Sequence, residues 1–356
     1  MEISQRFLQA CRCEPVDTTP VWFMRQAGRY MPEYRLIREK YSLIEICQHP
    51  EIAAEVTMQP VRALGVDAAI LFADILLPVI PLGLGLEFSK GEGPVIASPI
   101  RTLEDVRAMR PFNAESDLGY VMDAIRILRG NLGAVPLIGF CGAPFTVASY
   151  IIEGGSSREF LKTKMMMYSA PEVFHALMEK LSIVLSDYLV AQIRAGAQAV
   201  QVFDSWVGTL SPQDYDNFVL PYSQKVLQAA KNENVPVIHF GTNTTTLLPL
   251  MKRAGSDVIG LDWRLPLDDG WKLIGHDRAV QGNLDPALLF APLPEIKARV
   301  HDILRRAEGR PGHIFNLGHG ILQQTPVDNV RAVVDIVHEY SSLPMGQGLG
   351  VREGVS

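Results

Sequence analysis

The sequence predicts an α/β protein built as a single TIM (β/α)8 barrel, and three observations carry that prediction. Eight short apolar runs of strand length recur along the chain, helical patterns fill the intervals, and no linker or repeat divides the series. Runs that are apolar at nearly every position, rather than at alternate ones, belong to parallel strands buried on both faces. A doubly wound open sheet shows the same alternation of elements and is the competing architecture.

In order, the runs are PVWFM (20–24), AAILF (68–72), PLIGFC (136–141), AVQVFD (199–204), PVIHFG (236–241), VIGLD (258–262), AVQGNL (279–284) and HIFNLG (313–318). The last helix is marked by Val327, Val330, Val333, Val334 and Val337 on one face, with Pro326 at a first-turn position. Two segments exceed the minimal pattern and predict insertions after strands 2 and 3. Residues 73–135 contain LPVIPLGLGLEFSKGEGPV, an inserted loop or hairpin, and residues 142–198 hold more than one helix. Both follow strand C-termini, where a barrel keeps its active site, which makes them candidate cavity walls or lids. Residues 1–356 read as one domain, with a short N-terminal extension before about residue 19 and a flexible tail after about residue 342.

A length of 356 residues exceeds the usual single core but fits a barrel with insertions. The net charge of −6 gives no support to nucleic-acid or anionic-membrane binding, so an anionic ligand would need a local basic cluster. Cys11, Cys13, Cys47 and Cys141 are too few and too scattered for a disulfide framework. Cys11-Arg12-Cys13 lacks a second pair to complete a zinc site. The N-terminal MEISQRFLQACRCEP has no apolar run of a secretory signal, and runs such as Ala68 to Phe72 fall far short of the ~20 residues of a membrane span. A cytoplasmic enzyme that engages neither membrane nor nucleic acid is the expectation.

Catalytic side chains of a barrel sit at the C-terminal ends of its strands. Those positions hold Arg25, Asp74, Gly142, Ser205, Gly241, Asp262, Asn283 and His319. The first strand runs into Met24-Arg25-Gln26-Ala27-Gly28-Arg29-Tyr30, where two arginines four apart can present guanidinium forks to one anion and Gly28 permits close backbone approach. The plainer alternative pairs Arg25 and Arg29 with Glu33 and Glu55 on a solvated face. Asp74 is an acid among apolar neighbours, which is costly unless cations or donors compensate it. It reads either as a salt-bridge or helix-capping residue, or as an acceptor for substrate N–H groups or a cationic intermediate.

Small residues in Gly139-Phe140-Cys141-Gly142-Ala143 leave room at the mouth, and Tyr150 can aim its hydroxyl inward from the following helix. Cys141 reads as a small core residue, since no histidine lies near it in sequence. The fourth and eighth strands supply Phe203-Asp204-Ser205-Trp206 and Asn316-Leu317-Gly318-His319-Gly320. His319, flanked by glycines at the predicted rim, reads as functional. GxGxxG after the first strand, the Walker A loop, HExxH and GxSxG are all absent, so nothing calls for a nucleotide, a metal or another cofactor.

PVWFMRQAGRYMPEYR (20–35) and GFCGAPFTVASYIIEGG (139–155) resemble the two signatures of the uroporphyrinogen decarboxylases, and FDSW (203–206), GNLDP (282–286) and NLGHG (316–320) match in order. The likeness spans roughly residues 3–341. It implies an α/β barrel, a homodimer, and cofactor-free conversion of uroporphyrinogen III to coproporphyrinogen III in heme biosynthesis. By position, Arg25 and Arg29 would bind substrate carboxylates, with Gln26, Ala27 and Gly28 lining the same loop. Asp74 would accept hydrogen bonds from the pyrrole N–H groups. Tyr150, Ser205 and His319 would contact the macrocycle or its side chains, and Phe203 would offer an apolar face. The sequence leaves the proton donor open, with Arg25 and a bound water as candidates. Two other readings stand beside this one. Zinc-dependent, corrinoid-linked methyltransferases of the same superfamily need a His-x-Cys element, which this sequence lacks. A tetrapyrrole carrier would bind without turnover.

Overall fold

Seven of the eight apolar runs become strands of one parallel sheet. The computed structural model describes residues 3–89 and 93–341. The strands are β1 (Ala69–Ile70), β2 (Leu86–Ser89), β3 (Gly93–Ile96), β4 (Leu137–Gly142), β5 (Ala199–Asp204), β6 (Val237–Gly241), β7 (Val258–Gly260), β8 (Ala279–Gln281) and β9 (His313–Ile314). The sheet runs β1-β4-β5-β6-β7-β8-β9, and every neighbouring pair is parallel. Helices lie between most consecutive strands, as right-handed parallel crossovers require.

The run at 20–24 differs from its prediction. It makes one parallel bridge, Val21 to Phe315. Even so, its backbone reaches both edges of the sheet. Phe315 N–H donates to the Pro20 carbonyl (2.8 Å), and Asp67 N–H donates to the Val21 carbonyl (2.8 Å). Side chains take the remaining ladder positions. Val21 N–H donates to Asp67 Oδ2 (2.8 Å), Phe23 N–H to Gln26 Oε1 (3.1 Å) and Met24 N–H to Asn316 Oδ1 (3.1 Å). Buried backbone groups must be paired, but nothing requires the partner to be another strand.

Below the strand ends, buried polar side chains bond to one another. Trp22 indole N–H donates to Gln281 Oε1 (3.0 Å), and Gln281 Nε2 donates to Gln201 Oε1 (2.9 Å), all of them buried. One level up, Phe203 and Phe240 are register partners on β5 and β6.

The glycine- and proline-rich stretch after β1 forms the antiparallel hairpin β2–β3, pairing Leu86 with Ile96; residues 90–92 at its tip lie outside the described residues. Three helices follow β4, at Pro144–Glu153, Leu161–Ser169 and Pro171–Ala195. The hairpin docks on the end of the first of these, where Ile96 N–H donates to the Gly154 carbonyl (3.0 Å).

The stretch before residue 19 contains a helix, Ile3–Cys11, which buries Phe7, Ala10 and Cys11. Arg6 ties it to Asp17 (2.9 Å) and to buried Asp67 (3.1 Å), which also meets His338 Nε2 of the final helix (2.7 Å). That helix, Val327–Ser341, begins directly after Pro326 and buries Val330, Val333, Val334 and Val337. The tail, 342–356, lies outside the described residues. Among the described residues no helix is long and apolar enough to cross a membrane.

Candidate active site

The loop after the first apolar run is held in an unusual conformation. Arg25 adopts a left-handed backbone (φ 60°), which costs a non-glycine residue about 1 kcal/mol and persists only where its surroundings fix it. The fixing groups are visible on both sides. Gln26 is fully buried, and its amide takes Phe23 N–H and donates to the Ala68 carbonyl (3.1 Å). Tyr30 hydroxyl donates to the Gln26 carbonyl (2.7 Å), and Ile321 N–H donates to the Met24 carbonyl (3.0 Å). A Cβ on Gly28 would sit 2.9 Å from the Arg25 carbonyl, so this tight turn needs the glycine.

Arg25 and Arg29 are both exposed and accessible to a ligand, whereas the Gln26 side chain is spent inside the loop. The alternative pairing on a solvated face is corrected for Glu55, which bridges to Arg62 instead. Arg29 stands somewhat apart: its charge acts on Tyr34, which packs on Phe72 with ring centroids 5.3 Å apart.

Asp74 is half-buried, and its Oδ1 accepts the backbone N–H of Leu76 (2.8 Å), an Asx turn that starts the short helix Leu77–Val79. Burial pushes its carboxyl above the ordinary value, while the Leu76 hydrogen bond and the charge of Arg25 pull it back. Asp74 thus opens the turn into this helix rather than capping it, since the N-cap position is Leu76.

Tyr150, on the helix Pro144–Glu153, feels both groups. Burial and the charge of Asp74 raise its phenol, and a hydrogen bond with Trp206 and the charge of Arg25 act the other way. Trp206 packs edge-on against Tyr150 (5.9 Å) and at a tilt against Phe160 (5.4 Å). Its backbone N–H donates to Thr146 Oγ1 (3.3 Å), whose hydroxyl donates to buried Asp204 (3.0 Å). Ser205 is half-buried between these residues in sequence, and its carbonyl accepts the Thr242 hydroxyl (2.6 Å).

His319 closes the arrangement. Its Nδ1 accepts the N–H of Gly320 (2.7 Å), which places the ring proton on Nε2. Burial, Arg25 and Arg264 together lower its pKa to about 4, against the opposing charge of Asp262, so the ring is neutral at physiological pH. An arc of rings leads to it, from Phe140 to Phe203 (5.5 Å), Phe203 to Phe240 (6.1 Å) and Phe240 to His319 (6.3 Å). Phe140 and Phe240 are buried in the core, so of these rings Phe203 and His319 are the ones left partly open. Cys141 is buried in the core, and burial pushes its thiol up, the opposite of an activated nucleophile.

Arg25 thus links Asp74, Tyr150 and His319 through its charge. Asn316, Thr146, Asp204 and Trp206, which lie within the motifs of the sequence analysis but were given no role there, form the layer behind them. The signal available was an Asn, Thr, Asp or Trp within a residue or a few of each strand end, which is weak on its own.

The chain matches the family model described as uroporphyrinogen decarboxylase (URO-D) over residues 3–340. It is 58% identical over 346 residues to a uroporphyrinogen decarboxylase of Carboxydothermus hydrogenoformans, covering 97% of this chain and 99% of that protein. One from Sorangium cellulosum is 59% identical over 334 residues, covering 94% and 95%. Among solved structures, a methyltransferase from Methanosarcina mazei superposes with a TM-score of 0.79 at 22% identity, covering 95% of this chain and 98% of that one, a likeness of fold alone. With the family model spanning the strand-end loops and relatives more than half identical over nearly their whole lengths, the chain belongs to the uroporphyrinogen decarboxylase family.

Proposed function

We propose that this site removes the four acetate carboxyl groups of uroporphyrinogen III as CO2, leaving methyl groups and giving coproporphyrinogen III in heme biosynthesis. The observation that carries the reading is one carboxylate, Asp74, in the loop after β1, with the charge of Arg25 acting on it and its own charge acting on Tyr150. An acetate loses CO2 only if the electron pair left on its methylene has somewhere to go. A pyrrole protonated at a ring carbon supplies that sink: the C–CO2 bond breaks and its electrons neutralise the ring cation. The exocyclic methylene so formed then takes a proton to become a methyl group, and the ring carbon gives up the proton it gained, which restores the pyrrole. Asp74 accepts the pyrrole N–H groups and stabilises the ring cation without reorganising. Arg25 and Arg29 grip carboxylates and set the register, Phe203 and its neighbours flank the macrocycle, and Tyr150, Ser205 and His319 touch its periphery.

Segment 20–24 acts as the eighth stave that closes the barrel, and the long segments after β1 and β4 are insertions that wall the cavity. The chain works as a cytoplasmic homodimer. Leu161, Met165 and Tyr168 support the dimer, exposed by 63%, 57% and 58% at i, i+4 and i+7 on one helix face. Light scattering at the monomer mass of 39.3 kDa across micromolar concentrations would remove it.

Anaerobic incubation with uroporphyrinogen III, followed by oxidation and separation by carboxyl number, tests the activity. The eight-carboxyl species should give way to a four-carboxyl product with release of CO2. Tight binding without CO2 release would make the protein a carrier.

A further inference from the structure

The turn after β7 carries a cation that the reading above leaves unused. Leu261-Asp262-Trp263-Arg264-Leu265 is clamped from below, because Asn283 Nδ2 donates to the carbonyls of Asp262 (2.8 Å) and Leu265 (2.6 Å). Asp262 is buried and accepts the backbone N–H of Arg264 (2.9 Å), the guanidinium of Arg264 (2.9 Å) and the backbone N–H of Asn243. The guanidinium carbon lies 4.0 Å from the centroid of the Trp263 ring, and that ring stacks on His319 at 6.5 Å and 23°. Arg264, Trp263 and His319 therefore form one column at the strand ends. The Arg264 side chain is nevertheless 44% exposed.

A solvated surface arginine is mobile and pairs weakly. This one is pinned by a buried carboxylate on one edge and by an indole on one face, so little side-chain entropy is left to lose when a ligand arrives. It presents five N–H donors in a fixed plane, and the bond to Asp262 uses one of them in these contacts. A substrate with eight carboxylates needs cations at more than one point of its rim, and the loop of Arg25 and Arg29 supplies only one edge. We propose that Arg264 is a third carboxylate-binding cation of the site, holding a peripheral carboxylate of the macrocycle and setting its register against His319. The inference rests on the uroporphyrinogen reading.

The test compares wild type, Arg264→Gln, Arg264→Lys and the double variant Asp262→Asn/Arg264→Gln in the anaerobic assay. Loss of one charge-assisted contact predicts a KM raised about tenfold in Arg264→Gln with kcat within twofold, and partial recovery in Arg264→Lys. Arg264 also neutralises Asp262, so the single variant is expected to lose stability for that reason alone. The double variant removes the orphaned charge; it should regain the melting temperature and keep the raised KM. A KM that returns to wild type together with the melting temperature overturns the proposal, as does an unchanged KM in Arg264→Gln. An active wild type with either result sinks this proposal alone. A wild type that releases no CO2 sinks the functional reading and this proposal with it.

Discussion

The side chain of Arg25 lies directly across the α-carbon of Gly320. A Cβ at that position would come within 2.6 Å of Arg25 Cγ and 2.9 Å of its Nε. Gly320 also donates its N–H to His319 Nδ1, so one glycine sets the path of the arginine and the tautomer of the histidine. The motif NLGHG thus meets the motif MRQAGR through direct contact.

Gly320→Ala should therefore fold yet lose activity. The methyl group forces Arg25 aside, and displacing a substrate-positioning group by about 1 Å costs on the order of 10²-fold in kcat/KM. Gly130→Ala is the control, because nothing lies within 4 Å of its added Cβ. It should leave the kinetics unchanged and raise stability by up to about 1 kcal/mol. Wild-type kinetics in Gly320→Ala would mean that Arg25 has freedom the structure does not show.

Much of this arrangement was legible in the sequence, for a definite reason. Runs buried on both faces leave a strong apolar signal, and Asp74 and His319 lie within two residues of the ends of two such runs. Less legible was how the ends are held. The apolar content of 20–24 correctly predicts burial, but side chains of Asp67, Gln26 and Asn316 supply partners that a strand reading assigns to backbone. Gln26 sits in the signature yet works within the loop, because no periodicity distinguishes an amide that faces a ligand from one that faces the chain. Arg264, two residues past a strand-end acid, was hidden for the same reason. The helix Ile3–Cys11 was readable and overlooked, since Phe7, Ala10 and Cys11 already have helical spacing.

Arg25→Lys and Arg29→Lys should each impair turnover although the charge is retained, because an ammonium cannot replace a bidentate fork. The larger loss is expected at Arg25, whose charge acts on Asp74, Tyr150 and His319, whereas that of Arg29 acts on Tyr34. Steady-state kinetics on both variants decide it. Equal, wild-type-like values would return the pair to a solvated face.

Acid should destabilise the fold through two histidines. His319 and fully buried His313 both have pKa values lowered to about 4 from 6.5, chiefly by burial. Between those values the unfolded chain binds protons that the folded chain does not. Stability is thus full above pH 6.5 and falls as pH drops towards 4, by up to about 1.4 kcal/mol per pH unit for each group. Asp74 works in the opposite sense, since its raised pKa makes the folded state the better proton acceptor as pH falls towards 3.8. His319→Asn, whose Oδ1 can still accept the Gly320 N–H, should flatten the dependence of the urea midpoint on pH in this window. An unchanged slope would place the titrating group elsewhere.

Asp74 carries the proposed mechanism, and its hydrogen bond makes the decisive variant a clean one. Asp74→Ala would confound two effects, because it removes the acceptor of the Leu76 N–H and with it the turn before Leu77–Val79. Asp74→Asn keeps that acceptor, since an amide oxygen can still take the Leu76 N–H, and removes only the negative charge. Its NH2 would then face the pyrrole N–H groups as a donor among donors. Losing one preorganised electrostatic contact costs about 10²–10³ in rate. Because burial penalises the carboxylate, relieving it should leave Asp74→Asn at least as stable as wild type, with a melting temperature unchanged or raised. Asp74→Glu keeps the charge but moves it by a methylene, so it should also lose rate while binding substrate. Product assays on purified Asp74→Asn with a wild-type melting profile decide the matter. A rate within about threefold of wild type, less than the ~1.4 kcal/mol of a tenfold change, would reduce the residue to its turn and require another group to stabilise the ring cation.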